Sequence, residues 1–216
     1  MPPKVSHPVF ARVFARLVEL DDRSGQTEHR VEMLAALQGR VIEVGAGSGA
    51  NFAHYPDTVT EVVAVEPEPY LRGLAMQAAE QVDLSVTVVD GVAEDLPLVD
   101  GWADAAVASL VLCSFSDQSV ALREMHRVVR PGGGLRFYEH VRAEAQRPAR
   151  WQRRVDAIWP HLFGGCHTSR DTAGEIERAG WRIEALRRIH LGPPRLPNPV
   201  APHILGTAVR GGDDGA

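Results

Sequence analysis

Residues 43–49 read EVGAGSG and follow directly on the apolar pair Val41 and Ile42. Glycine permits left-handed backbone angles and, because it has no side chain, lets a ligand approach backbone N–H groups directly. A tight turn explains one such residue, but we do not expect packing to explain the alternating Gly45, Gly47 and Gly49. The stretch therefore predicts a binding loop between a strand and a helix.

The sequence around this loop alternates between strand and helix patterns. Apolar or β-branched runs predict strands at 41–44, 61–65, 85–89 and 103–112. Helical patterns lie between and after them, at 50–55, 70–82 and 117–129. Continuous apolar strands that alternate with helices are typical of βαβ units, so we expect an α/β fold with a parallel sheet and helices on both faces.

The remaining segments extend this sheet. Strands are predicted at 135–141, 181–189 and 203–210, and helices at 146–163 and 168–179. Thr168 and Asp171 have the spacing of a capping box, and Gly180 suits a helix end. The loop between the last two strands contains five prolines. Because proline excludes a helix there, these two strands should pair antiparallel.

The chain is expected to form one main domain with an N-terminal addition. Helical patterns at 9–20 and 27–37 precede the first strand. We assign residues 1–38 to N-terminal helices that act as a lid or cap, and residues 39–210 to the α/β domain. Residues 211–216, GGDDGA, are assigned to a flexible tail.

Composition excludes several functional classes. The chain has 216 residues, enough for one α/β domain, and a formal net charge of −5 that disfavours a nucleic-acid partner. Its two cysteines, Cys113 and Cys166, are far apart in the chain, so we expect neither a disulfide framework nor a metal site. The sequence shows no signal-peptide pattern and no apolar stretch of spanning length, so we expect a cytoplasmic protein without a membrane anchor.

Two carboxylates suggest the ligand. Glu66 ends the second predicted strand, where a carboxylate can accept hydrogen bonds from both hydroxyls of a ribose. Gly45, Gly47 and Ala50 also satisfy the dinucleotide fingerprint, which leaves an NAD(P)-dependent oxidoreductase as an alternative. Glu43, however, would repel a diphosphate and attract an ammonium or a sulfonium. S-adenosylmethionine carries both of these cations together with a ribose, and we predict it as the cofactor.

The order of the motifs resembles the class I S-adenosylmethionine-dependent methyltransferases. The motifs are EVGAGSG at 43–49, EP at 66–67, DGVAEDLP at 90–97 and RPGGG at 130–134. This resemblance implies a Rossmann-like sheet of seven strands in the order 3-2-1-4-5-7-6, with strand 7 antiparallel. The strings SLVLCS, YEHV, FGGCHTSR and PHILGTAVR are more specifically similar to the methyltransferase-like family whose animal members are membrane-associated alkyl thiol methyltransferases.

Motifs and resemblance together predict the cofactor site. Many class I enzymes carry an aspartate that contacts the adenine amino group, and Val92 occupies that position here. Adenine recognition should therefore depend on backbone atoms near Ala93 and Glu94, with Asp90 as a further candidate. The predicted cofactor-binding residues are Glu43, Gly45, Ala46, Gly47, Ser48, Gly49, Glu66, Pro67, Val92, Ala93, Glu94, Ser109 and Leu110.

The acceptor side is predicted at the end of the fifth strand, with His140 as the assisting catalytic residue. A thiol, with a pKa of about 8.5, ionises more readily than an alcohol. This chemistry and the family likeness favour S-methylation of a small apolar thiol. A phenol, quinone-type or natural-product acceptor stays open as an O- or C-methylation alternative, as does a non-catalytic cofactor-binding module.

Other residues near the predicted acceptor side are interpreted as structural. Cys113 is expected to be a buried apolar residue, and the adjacent Cys166 and His167 are not expected to form a nucleophile–base pair. Cys166 should therefore be dispensable for activity. Aromatic side chains are candidate pocket walls, at Trp151, Trp159 and Phe163, with Phe10 and Phe14 in the N-terminal lid. Deletion of residues 1–20 is expected to impair acceptor turnover more than cofactor binding.

Overall fold

The computed structural model describes residues 11–12, 26–192 and 198–211. Within them the helices are α1 (Thr27–Leu34), α2 (Pro69–Ala79), α3 (Gln118–Val128), α4 (Gln146–Val155), α5 (Trp159–Leu162) and α6 (Thr172–Arg178). The strands are β1 (Gly39–Val44), β2 (Val59–Val65), β3 (Val86–Val89), β4 (Ala103–Ser109), β5 (Val129–His140), β6 (Trp181–His190) and β7 (Pro202–Arg210). Two 3-10 turns lie at Phe52–His54 and Leu112–Ser114.

The strands form one seven-stranded sheet in the order β3-β2-β1-β4-β5-β7-β6. The pairs β1–β2, β1–β4, β2–β3 and β4–β5 are parallel, whereas β7 runs antiparallel to both β5 and β6. The predicted fold class, strand order and antiparallel seventh strand are therefore confirmed. Because the chain leaves β1 toward β2 and later returns to β4, the carboxyl ends of β1 and β4 border the crevice where open α/β sheets bind ligands.

Two apolar layers cover the sheet. On one face, Met33 and Leu34 of α1 pack with β1 and β2 residues such as Val41 and Val62. On the other face, Leu122 of α3 belongs to a buried layer that also includes residues of β1, β4 and β5. Helices thus cover both faces, as the continuous apolar strands require. This packing holds the carboxyl ends of the strands in fixed register for the site.

Several predicted boundaries were wrong. The strand predicted to continue to residue 112 ends at Ser109, because Leu110 has a left-handed φ of 56° and the next two N–H groups bond to a side chain, Glu139, instead of a strand. The helix predicted at 146–163 is split into α4 and α5, since Pro160 lacks the N–H needed to continue α4. The helix predicted at 50–55 is reduced to the turn Phe52–His54.

Thr168 does not cap a helix. Asp171 occupies the position before α6. Thr168 is buried, and its N–H group and its hydroxyl both donate hydrogen bonds to Asp156 Oδ1, the hydroxyl at 3.1 Å. A local spacing rule failed because this threonine bonds to a residue twelve positions away. The predicted helix end at Gly180 is confirmed by its φ of 93°.

Most of the predicted N-terminal lid, 9–20, and most of the predicted tail lie outside the described residues. Of the lid, Ala11 is buried against Leu71 and Leu74, and the Arg12 guanidinium lies 5.6 Å from the centre of the Tyr70 ring. Among the residues described, no helix combines the length and apolar character needed to cross a bilayer.

Candidate active site

The glycine loop joins β1 to the turn at Phe52–His54. Gly45, Gly47 and Gly49 have φ values of 71°, 58° and 81°, so all three adopt backbone angles that other residues rarely reach. Packing also contributes, contrary to our expectation. A Cβ on Gly45 would lie 2.1 Å from a Val111 methyl, and one on Gly49 would lie 2.7 Å from the Phe52 ring. The loop therefore needs glycine for conformation and for its close approach to its neighbours.

The loop N–H groups are mostly committed to the protein itself. The N–H groups of Gly45 and Ala46 both donate to the Val65 carbonyl, and that of Gly49 donates to Ala46. The Gly47 N–H donates to Glu66 Oε2 at 2.8 Å. These four N–H groups therefore already have acceptors within the protein. A diphosphate needs such donors, so this geometry favours a cofactor without one.

Glu66 lies at the end of β2 and closes the loop. Its second oxygen, Oε1, accepts a bond from the Glu68 N–H at 2.9 Å, so each oxygen has one backbone donor. A carboxylate offers about four acceptor positions, which leaves room for two hydroxyl donors. Burial raises the pKa of Glu66 to about 7, although the Glu68 and Gly47 N–H groups and the Arg72 charge act in the opposite direction.

Arg72 fixes the segment that follows Glu66. Its guanidinium donates to the carbonyls of Glu66 and Pro67, each at 3.0 Å, and to Asp90 at 3.1 Å. These bonds tie the ends of β2 and β3 together at the carboxyl edge of the sheet. Arg72 was not predicted as a site residue, although an arginine one turn into the helix after an acidic strand end is a recognisable signal.

Glu43 belongs to a buried polar network. Its Oε1 accepts from the Asn51 amide at 2.8 Å and its Oε2 from the Tyr55 hydroxyl at 2.7 Å. Arg30 of α1 completes the network by donating to Asn51 at 2.9 Å and to the Ser109 hydroxyl at 3.2 Å. Burial raises the pKa of Glu43, against the lowering effect of these donors and of the Arg30 charge. Glu43 is thus buried next to the loop and already engaged by protein donors.

The predicted adenine segment lies at the same sheet edge. Val92 forms an isolated bridge with Asp95, and Ala93 is buried. Glu94 is engaged elsewhere, since its Oε1 accepts a bond from the Ser116 hydroxyl at 2.6 Å. We call residues 43–51, 66–68 and 92–94 the cofactor half of the site.

The segment after β4 has a strained turn held by two charged side chains. Leu110 is the one non-glycine residue with a positive φ in the described part of the chain. Glu139 Oε1 accepts bonds from the N–H groups of Val111 and Leu112, both at 2.9 Å. Arg170 donates to the carbonyls of Leu112 and Phe115, at 2.8 and 2.6 Å. Strained angles held by surrounding structure concentrate at functional sites.

Glu139 and Arg170 were not selected from the sequence. Glu139 has no exposed surface, and its Oε2 has no hydrogen-bond partner among the described residues. Burial raises the pKa of Glu139 to about 7, against the lowering effect of the surrounding N–H groups and of His140. A buried acid at a strand end is a weak signal in a sequence, because its partners lie about 28 residues away.

His140 lies beside both cysteines. Its Nε2 is 3.0 Å from Cys166 Sγ, and the ligand atoms of Cys113, His140 and Cys166 all lie within 4.8 Å of one another. The neighbouring Cys113 thiol and burial raise the pKa of Cys166 well above its usual range. His167, by contrast, places its Nδ1 3.0 Å from Asp156. The interpretation that Cys166 and His167 do not act as a pair agrees with these separate contacts.

Only part of the predicted aromatic wall appears as a unit. The rings of Trp159 and Phe163 stack with their centres 3.9 Å apart, next to the loop that carries Cys166. Cys113 is buried, as expected. We call residues 109–115, 139–140 and 163–170 the acceptor half of the site. Ser109 links it to the cofactor half through Arg30, which donates to both the Ser109 hydroxyl and Asn51.

Comparisons with known proteins agree with this architecture. The profile of a family described as a methyltransferase domain matches residues 42–137. Human thiol S-methyltransferase TMT1A is 38% identical over 174 residues, covering 79% of this chain and 70% of that protein. Rat thiol S-methyltransferase TMT1B is 36% identical over the same length and coverage.

A solved structure shows the same fold at low sequence identity. Geranyl diphosphate methyltransferase in complex with GPP and sinefungin superimposes with a TM-score of 0.65 and 16% identity. The match covers 87% of this chain and 78% of that one. At this identity the likeness establishes the shared fold alone.

Proposed function

The chain belongs to the methyltransferase family that includes the thiol S-methyltransferases TMT1A and TMT1B, and from this membership we propose that it methylates the sulfur of a small apolar thiol. It is an S-adenosylmethionine-dependent methyltransferase, as the family and the fold imply. The single observation that carries the thiol proposal is the sequence identity of 36% and 38% to two thiol S-methyltransferases over 174 residues.

The cofactor half fits S-adenosylmethionine in charge and in the acceptor positions that Glu66 offers to two hydroxyls. When bound, this cofactor supplies an electrophilic methyl group on a positively charged sulfur. We assign the glycine loop to its methionine part and Glu66 to its ribose hydroxyls. The residues 92–94 and Pro67 are assigned to the adenine side. Glu43 and Asn51 contribute a negative, hydrogen-bonded environment for the cationic groups.

The acceptor half supports binding and ionisation of a thiol. We assign to His140 the role of assisting loss of the thiol proton, because it lies at the carboxyl end of β5, one residue from the Glu139 that holds residues 111 and 112. Trp159 and Phe163 offer an apolar surface near it. We assign to the strained turn at Leu110 the role of positioning the acceptor half against the cofactor half, as in-line displacement requires.

The direct test is methyl transfer by the purified full-length chain. We expect a simple alkanethiol and S-adenosylmethionine to give the methyl thioether and S-adenosylhomocysteine, detected by mass spectrometry. His140→Gln should lower turnover with little change in cofactor affinity, whereas the exposed His161→Asn should change neither. Methylation of phenols or quinols but of no thiol tested would overturn the proposal in favour of the O- or C-methyltransferase alternative.

A cytoplasmic location is part of the same proposal. Both cysteines are free thiols in the structure, and unpaired thiols are typical of reducing compartments. Cell fractionation with an antibody to the native chain would check it.

A further inference from the structure

The acceptor half contains a cluster of soft metal ligands that the sequence does not reveal. Cys113 follows β4, His140 ends β5 and Cys166 lies in the loop after α5. The fold brings one ligand atom from each to within 4.8 Å of the other two. Separation along the chain was the reason to expect no metal site, and the tertiary structure removes that reason.

The lone pairs of these side chains are not committed to stronger partners. His140 Nδ1 is buried without a hydrogen-bond partner in the described part of the chain, and its Nε2 lies 3.0 Å from Cys166 Sγ. Cys113 Sγ neighbours the Cys166 thiol and has two weak contacts, the Leu110 carbonyl at 3.9 Å and the Ser114 hydroxyl at 3.5 Å. Nothing in these contacts competes strongly with a cation.

The ligand types and the distances between the ligand atoms indicate which class of cation would bind. Two thiolates and one imidazole suit a thiophilic d10 ion such as Zn²⁺, with bonds of about 2.3 Å to sulfur and about 2.0 Å to nitrogen. Ligand atoms around a tetrahedral ion of this size are roughly 3.5–3.8 Å apart, which follows from those bond lengths. His140 Nε2 lies 3.0 Å from Cys166 Sγ, and none of the three separations exceeds 4.8 Å, so small side-chain shifts would bring the ligand atoms to these distances.

We propose that Cys113, His140 and Cys166 bind one Zn²⁺ ion, and that its fourth position takes the sulfur of the acceptor thiol. Three protein ligands with one open position are typical of catalytic zinc sites. The cluster lies close enough to the cofactor half for this role. Cys113 Sγ is 3.9 Å from the carbonyl oxygen of Leu110, which lies at the boundary between the two halves. This inference rests on the proposed function and gives His140 a defined means of assisting it.

The reaction balances without any oxidant or reductant. On coordination the acceptor thiol releases its proton to solvent, and the bound thiolate keeps the electron pair. This sulfur attacks the methyl carbon of the sulfonium, so a new S–CH₃ bond forms as the old one breaks. The electron pair of the broken bond stays on the cofactor sulfur. The neutral thioether product is a weaker ligand than the thiolate and leaves the metal.

The inference differs from the sequence-based expectation that Cys166 is dispensable, and Cys166→Ser distinguishes the two. Full-length protein purified under reducing conditions and stripped with a chelator would be titrated with Zn²⁺ against a chromophoric chelator. We expect one equivalent per chain, with a dissociation constant below about 1 μM. Cys166→Ser and His140→Gln should each weaken binding on the order of a hundredfold. His161→Asn, an exposed histidine, is the matched control and should bind normally.

A spectroscopic readout keeps the test independent of activity and of variant folding. Co²⁺ bound to the wild-type chain should show intense thiolate-to-cobalt charge-transfer absorption, and an alkanethiol should change that spectrum. Binding of Co²⁺ with no response to the thiol would overturn the assigned acceptor role.

The remaining outcomes separate this inference from the proposed function. Undiminished thiol methylation by a stripped chain that binds no Zn²⁺ would overturn the metal site and leave the function intact. A mass loss of two hydrogens on mild oxidation, together with no stoichiometric Zn²⁺ uptake by the reduced chain, would overturn it in favour of a Cys113–Cys166 disulfide. Stoichiometric Zn²⁺ binding without methylation of any thiol would uphold the metal site and refute the proposed function instead.

Discussion

The cofactor half and the acceptor half lie at the same edge of one sheet but are assembled in different ways. At the centre of the cofactor half, the loop 45–49 and Glu66 are joined by a bond between residues 19 positions apart. In the acceptor half, Glu139 and Arg170 hold residues 111–115 across separations of 27 to 58 positions. The glycine loop of the cofactor half is thus formed by local backbone conformation, whereas the acceptor half is formed by side chains that meet only in the folded chain.

This difference has a consequence for mutations. Changes in the cofactor half should act mainly on cofactor affinity, because the residues contact the ligand's region directly. Changes in the acceptor half should act mainly on turnover, because they move the segment that faces the acceptor. Four substitutions or conditions test this division, and their expected effects decrease in the order given.

Gly45→Ala should have the largest effect. A left-handed alanine costs about 1–2 kcal/mol, and the contact of its Cβ with Val111, 2.1 Å away, adds roughly 1–3 kcal/mol. We expect a lower Tm and a loss of cofactor affinity of more than about a hundredfold, measured by calorimetry. Gly73→Ala in α2 is the control, because nothing lies within 4 Å of its Cβ and helical propensity improves. Equal behaviour of the two variants would contradict the role of the loop.

Glu139→Ala should affect the acceptor half. It leaves the buried N–H groups of Val111 and Leu112 without their acceptor, at a cost of about 2–4 kcal/mol in the free energy of unfolding. Turnover should fall more than cofactor affinity does. Glu139→Gln keeps one oxygen for both bonds and should recover most of the stability. If cofactor affinity fell as far as turnover, the two halves would not be separable at this residue.

Glu66→Ala should weaken cofactor binding without a comparable change in turnover at saturation. Loss of charge-assisted bonds to the ribose corresponds to about 1.5–3 kcal/mol, or roughly ten- to a hundredfold in affinity. Glu61→Ala, at the other end of β2, is the control and should bind normally. Unchanged calorimetric affinity in Glu66→Ala would remove Glu66 from the site.

Cofactor affinity should depend on pH through Glu66. Its pKa of about 7 means that near neutrality part of the protein carries a protonated carboxyl, which accepts fewer bonds. Binding that favours the ionised form should strengthen up to about tenfold as the pH rises from about 6 to 8, with proton release. Calorimetry in buffers of different ionisation enthalpy measures that proton. In Glu66→Gln the cofactor affinity should no longer change between these pH values. If the affinity of this variant still changed with pH, Glu139 would be the titrating group instead.

The raised pKa of Glu66 should have the opposite effect on the stability of the cofactor-free protein, which should decrease as the pH rises. A carboxyl whose pKa is raised on folding contributes stability below its unfolded value of 4.5, and that contribution is lost as the pH rises through about 7. The increase in Tm caused by the cofactor should therefore be larger above pH 7 than below it. Differential scanning fluorimetry with and without S-adenosylhomocysteine would measure this.

The fold and the conformation of the glycine loop follow from patterns in the sequence alone. Apolar runs alternating with helical patterns specify a parallel sheet, because buried strands need helices on both faces. The positive φ angles of Gly45, Gly47 and Gly49 are a local property of residues without a Cβ, and a short stretch reveals them. What the sequence did not give is that Gly45 and Gly49 are also required by close packing.

The acceptor half forms only when distant segments pack together in the folded chain. Leu110 adopts a left-handed φ that no propensity favours, because Glu139 and Arg170 hold the following residues from distant positions. Cys113, His140 and Cys166 converge for the same reason, since β4 and β5 are neighbours in the sheet and the loop after α5 returns to them. Side-chain contacts across long separations depend on the packing of the whole chain, so a local pattern cannot specify them.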